Sequence, residues 1–147
     1  MQRFRNLLLI GGLLLTGSAI GAAEPFTVGD IWSYQTRPGE NASTLTILKV
    51  EQYPDLGQVV HIRVDGIHLI NPLKGNQISD IPHLPFRAGA LQQSVTQRVG
   101  HAEQLADFSE GYTVWKTAYD AHQAGAFKTS VAQTLNDLLG GDWEESR

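Results

Sequence analysis

Residues 44–70 read TLTILKVEQYPDLGQVVHIRVDGIHLI, and this stretch decides the fold class. Thr44 to Val50 is rich in β-branched side chains, Pro54-Asp55-Leu56-Gly57 is a turn, and Gln58 to Val64 is a second β-branched run. Branched side chains suit a pleated surface, while proline fixes φ and glycine accepts positive φ, so the segment predicts two antiparallel strands joined tightly. Asp65-Gly66 then forms either a type I′ hairpin turn or a bulge in one long strand that continues through Ile67 to Ile70. Upstream, Ile31-Trp32-Ser33-Tyr34-Gln35-Thr36 alternates and Pro38-Gly39-Glu40-Asn41 turns, which adds another strand. The expectation is an N-terminal antiparallel meander of three to four strands.

Alternate residues of a strand point to opposite faces, which sorts the side chains. Trp32, Tyr34, Leu48, Val50, Val60, Ile62 and Val64 share one side, and Ile67 and Leu69 join them under either reading of Asp65-Gly66. Ser33, Lys49, His61, Arg63 and His68 take the other. The first side is expected to be the core and the histidine-bearing side to face outward.

Beyond the meander, Pro72, Pro82 and Pro85 forbid a helix over residues 71–85 and favour an irregular, extended path. Leu91 and Val95 suggest a helix from Ala88 to Val99, ended by Gly100. Ser109 reads as the N-cap of a further helix, with Glu110 in its first turn and Gly125 as its stop. Tyr112, Trp115, Tyr119 and His122 form one stripe of that helix, the usual signature of core packing. Ala126 to Thr129 reads as a short extended piece, and Ser130-Val131-Ala132-Gln133 has capping-box spacing and opens a helix through Leu139, closed by Gly140-Gly141. The fold class is therefore α+β, with two to three helices packed on one face of the sheet.

The first residues carry a different signal. Arg3 and Arg5 precede a charge-free run of Leu7 to Ile20, and Gly21-Ala22-Ala23 puts small residues ahead of a cut, which is the pattern of a secretory leader removed after Ala23. A membrane anchor needs roughly 20 continuous apolar residues, and Gly11-Gly12 and Thr16-Gly17-Ser18 interrupt this run. With no cysteine in the chain, lipid attachment at a new N-terminal cysteine is excluded, and Arg3 and Arg5 are not adjacent as a twin-arginine signal requires. Residues 24–147 are then a single domain, periplasmic or secreted, with no membrane attachment after cleavage.

Loss of the leader removes two arginines and no acid, so the formal charge moves from −4 to −6. An acidic surface repels phosphate backbones and attracts basic proteins, which disfavours nucleic acid and favours another protein as partner. Without cysteines, packing and hydrogen bonds must supply all the stability. Gly29-Asp30-Ile31-Trp32-Ser33-Tyr34, Thr36-Arg37-Pro38-Gly39-Glu40, Pro82-His83-Leu84-Pro85-Phe86 and Gly111-Tyr112 before Trp115 are similar to segments of a group of small uncharacterised exported bacterial proteins. The likeness spans most of the chain after Ala23 and implies a self-contained domain; that group has no assigned activity, so it implies no chemistry.

Five residues are candidates for binding a ligand or partner. His61, Arg63 and His68, with Asp65 nearby, could hold a carboxylate or phosphate, or zinc through two imidazoles and an acid, although solvated residues on the open face of an antiparallel sheet are the commoner case. His83 sits between prolines near Ser79 and Asp80, yet three triad members within five residues of extended chain rarely converge, and no G-x-S-x-G elbow is present. Arg37 lies at a turn and could recognise a partner or pair with Glu40. No H-E-x-x-H, Walker, dinucleotide or EF-hand motif occurs, so no catalytic residue, metal or cofactor is assigned. The leading expectation is a non-enzymatic protein-binding module, such as an inhibitor, an immunity-type partner or an accessory factor. The alternatives are a small hydrolase or metal-dependent enzyme on the histidine-rich face, and a small-ligand binder.

Overall fold

The computed structural model describes residues 25–140. The leader and its cut after Ala23, and the tail beyond Gly140, lie outside the described residues. Strands β1 (Asp30–Tyr34), β2 (Thr44–Tyr53), β3 (Gly57–Ile70), β4 (Gln77–Arg87) and β5 (Val95–His101) form one antiparallel sheet in the order β4-β3-β2-β1-β5. Helix α1 (Ala88–Ser94) joins β4 to β5, and α2 (Ser109–Asp120) and α3 (Val131–Leu135) follow, with a π-helical turn at Asn136–Gly140. Among the described residues no helix is long and apolar enough to cross a membrane.

The α+β class holds, but the meander is neither complete at the N-terminus nor limited to four strands. The helix expected over Ala88 to Val99 stops at Ser94, and Val95 to His101 pairs with β1 instead. Val95, Thr96 and Val99 are β-branched, and the ladder offered by β1 outweighs one more helical turn. The stretch expected to be irregular contains β4, whose prolines are tolerated because it is an edge strand. Near Pro82 the register jumps from Ile62↔Leu84 to Val64↔Ile81, so Pro82 and His83 together oppose Arg63 in a bulge. Past the prolines, the segment around Phe127 covers this edge: its N–H donates to the carbonyl of Pro85 and its carbonyl accepts from the N–H of Arg87.

Another bulge sets the faces. Ile47 pairs with Ile62 and Lys49 with His61, leaving Leu48 as the extra residue of β2. Leu45 and Ile47 therefore face the main core before the bulge, while Lys49, Glu51 and Tyr53 share the opposite face after it. Regular alternation assigns Leu48 and Val50 to the core side; Val50 does pack there, but Leu45 and Ile47 supply the buried contacts. Asp65-Gly66 is the bulge alternative within one long β3, and Ile67 and Leu69 are buried in the main core as expected. Gly66 has φ +75°, and a Cβ there would come within 3.1 Å of Ser43 Cα, so glycine is required twice over.

The main core joins Trp32, Tyr34, Leu45, Ile47, Val60, Ile62, Val64 and Phe86 to Leu91 of α1 and to Val131 and Leu135 of α3. Ser130 caps α3 as its spacing predicts, accepting the N–H of Gln133 at 3.1 Å. On the other face Tyr53 and Val59 pack against Trp115 of α2. Helices thus cover both faces of the sheet, and the side expected to be open is roofed by the aromatic stripe. That stripe ends earlier than its spacing suggests: α2 stops at Asp120, and His122 lies exposed with φ +58°. At the other end Ser109 is the first helical residue rather than the cap, and its N–H donates to Asp107 Oδ1 at 2.9 Å.

Candidate functional site

The bulge at Leu48 turns Glu51 onto the face that carries His61, and β3 places His61 directly beneath α2. His61 is fully buried. Its ring meets Trp115 edge-on at 4.9 Å and Tyr112 edge-on at 5.2 Å, and lies within 19° of parallel to that of His83, with 5.1 Å between centroids. Glu51 collects the hydroxyl of Tyr112 at 2.6 Å, the hydroxyl of Tyr53, the ammonium of Lys49 at 3.2 Å and Nε2 of His61 at 3.2 Å. Burial alone would push the Glu51 carboxyl up; the hydrogen bonds from Tyr112, Tyr53 and Lys49, with the Lys49 charge, outweigh it and hold the pKa at about 2.

An ionised carboxylate only accepts, so Nε2 of His61 must carry the proton. Its Nδ1 is then bare in the neutral ring and accepts from Nε2–H of His83 at 2.8 Å. The direction of the chain is thereby settled from His83 through His61 to Glu51, and Nδ1 of His83 is left as an acceptor without a partner among the described residues. Its ring lines a cleft of about 490 Å³ with Pro82, Asp107, Phe108, Glu110, Gly111 and Val114. Gly111 permits the approach of α2, since a Cβ there would fall 2.9 Å from His83 Cβ.

Both imidazoles are held neutral. Burial pushes His61 down against the opposing Glu51 charge, and burial with the neighbouring His61 pushes His83 down to about 4. Between the ordinary value of about 6.5 and that of the fold, the unfolded chain binds more protons, so this contribution to stability is complete above the window and lost as pH falls through it. Urea unfolding at about pH 5 should therefore give a lower midpoint than at about pH 7.5, and His83→Gln should shrink the difference. Equal midpoints in the parent protein would mean that the rings ionise freely in the fold.

The other candidates do not join this cluster. Arg63 shares the face but is held by Asp65 at 2.9 Å and Asp80 at 2.8 Å. His68 is exposed, bonds Gln77 at 2.9 Å, and lies seven residues along β3 from His61, on the order of 20 Å away. Arg37 pairs with Glu40 through two 2.7 Å bonds and reaches the carbonyl of His68, while Glu40 accepts the His68 N–H at 2.6 Å; this is a clasp between the first hairpin and β3 rather than an exposed recognition residue. Ser79, Asp80 and His83 do not converge, because Asp80 binds Arg63 and His83 binds His61. Sequence reading passed over Glu51; the turn at Pro54-Asp55-Leu56-Gly57, once used to set the register, places it opposite Val59, two residues from His61. Among the described residues no group of three or more His, Cys, Asp and Glu is arranged to hold a metal ion. Comparisons of the chain with protein families, with curated proteins and with solved structures found no match.

Proposed function

We propose that this protein is exported and works without catalysis, by binding another protein, one of whose basic side chains enters the cleft beside His83. The observation that carries this reading is the chemistry of the cleft wall: a bare imidazole nitrogen and the carboxylates of Asp107 and Glu110 all accept, and Pro82, Phe108 and Val114 supply an apolar shoulder. Such a wall suits a lysine or arginine, whose polar end only donates and whose stem is apolar. Net negative charge over the whole chain steers the same class of partner. Export rests on the leader pattern of residues 1–23.

In-cell crosslinking identifies the partner, and calorimetry on the purified pair tests the contact. Asp107→Asn with Glu110→Gln should weaken binding roughly tenfold at low salt and flatten its salt dependence. Recovery of the uncrosslinked protein alone, or unchanged affinity in the double variant, rules the reading out.

A second reading, a small hydrolase with His83 as general base, is favoured by the directed Glu51–His61–His83 chain. Against it stands the basicity of His83: a base with a pKa of about 4 is a weak proton acceptor at neutral pH, where effective catalysis calls for a value near 7. Ester or amide hydrolysis abolished by His83→Gln but retained by Asp107→Asn would favour the enzyme.

A further inference from the structure

A different cleft, of about 420 Å³, lies further along β4 between the turn around Leu56 and the start of α1. Its chemistry is inverted. Among the described residues Arg87, Lys128 and the amide of Gln58 line it with Leu56, Ala88 and Ala90, and no carboxylate does. Arg87 is half-buried, yet among the described residues its guanidinium makes one long bond, from Nη1 to the carbonyl of Leu56 at 3.5 Å, and its buried Nε has no partner. Among the described residues neither Arg87 nor Lys128 forms an ion pair, although the chain carries 15 acids against 11 lysines and arginines. Asp55 is engaged by the Tyr119 hydroxyl at 2.5 Å and feels Arg87 only through its field. Buried donors are ordinarily satisfied, and a guanidinium is shaped to meet a planar oxyanion through two parallel N–H bonds.

We propose that this cleft binds a carboxylate carried on a short apolar body, the head held by Arg87 and Lys128 and the body resting on Leu56, Ala88 and Ala90. A planar carboxylate matches the shape of a guanidinium fork. The carboxylate could belong to a free short-chain acid or to a glutamate of a bound peptide; the head contacts are the same. No residue of the cleft beside His83 takes part, so this site stands or falls independently of the partner proposed above.

Titration of the full chain, followed by amide and arginine Nε–H resonances, tests it with sodium butyrate, N-acetylglutamate amide and its glutamine counterpart, at matched ionic strength with sodium phosphate as a further arm. Saturable shifts at residues 87–90 and at Arg87 Nε–H with either carboxylate, and none with the glutamine compound, are expected. A response to butyrate assigns a free acid, and a response to the glutamyl compound alone assigns a peptide. Arg87→Gln and Lys128→Gln should each weaken the saturable binding roughly tenfold or more, and because the parent Nε–H signal reports directly, a variant that folds poorly does not blunt the test. Absence of saturation with both carboxylates, equal shifts with phosphate, or binding unchanged in both variants overturns the site.

Discussion

Trp115→Ala lowers the thermal midpoint by roughly 12–20 °C. A large aromatic truncated in a packed interior costs about 3–5 kcal/mol, and a domain of this size loses about 4 °C for each kcal/mol. Trp115 is the buried residue of α2, 8% exposed, and the helix is fastened to the sheet through it. Its ring meets Tyr53 edge-on at 5.6 Å and stacks on Tyr119 at 5.4 Å, and its Nε1–H donates to the carbonyl of Gly125 at 2.7 Å. Removing the indole also uncovers His61, whose titration should move up toward the ordinary histidine value as its burial is relieved. Calorimetry and histidine proton shifts followed against pH check the two effects together. A midpoint within about 2 °C of the parent would show that α2 is held by something other than this side chain.

Arg37→Ala is expected to cost about 3–5 kcal/mol, far more than an exposed turn pair would. The pair is enclosed, its side chains 13% and 2% exposed, and deleting the arginine leaves a carboxylate in the interior with the His68 N–H as its remaining donor. In the parent, the hydrogen bonds from Arg37, backed by the His68 N–H, hold the Glu40 carboxyl below its ordinary value despite burial. That contribution is present above the unfolded value of about 4.5 and lost as pH falls through the folded one. In the variant burial dominates, the carboxyl moves above its ordinary value, and the sign reverses: stability is lost as pH rises. The deficit measured by urea unfolding should accordingly be larger at about pH 7 than at about pH 4. A deficit below about 1 kcal/mol at both would mean that the clasp behaves as a surface pair. Replacing both residues, Arg37→Met with Glu40→Leu, should cost less than Arg37→Ala, with a residual loss because the His68 N–H then lacks its acceptor.

Much of the local structure could be read from residue types because its causes are local. Pro54-Asp55-Leu56-Gly57 turns for reasons internal to four residues, Ser130 caps α3 through its own hydroxyl, and Ile67 and Leu69 stay in the core because the only alternatives at Asp65-Gly66 keep their phase. The pairing of Arg37 with Glu40 was likewise suggested by three residues of spacing, but not its burial, which depends on β3 and Asn136 closing over it. His61 and His83 were both visible as candidates, 22 residues apart in the chain. Their contact needs the bulge at Pro82-His83, which no property of either histidine announces.

What the amino-acid sequence determined alone was therefore the α+β class, the positions of most turns, and the aromatic stripe of α2, since propensity and periodicity act over a few residues. Tertiary structure decided which face that stripe covers, that Val95 to Val99 belongs to a strand and not to the expected helix, and that Glu51 meets His61. Each of these turns on a bulge or on an available ladder edge, and such features arise from the register between distant strands, where one residue more or less exchanges the inside of the sheet for its outside.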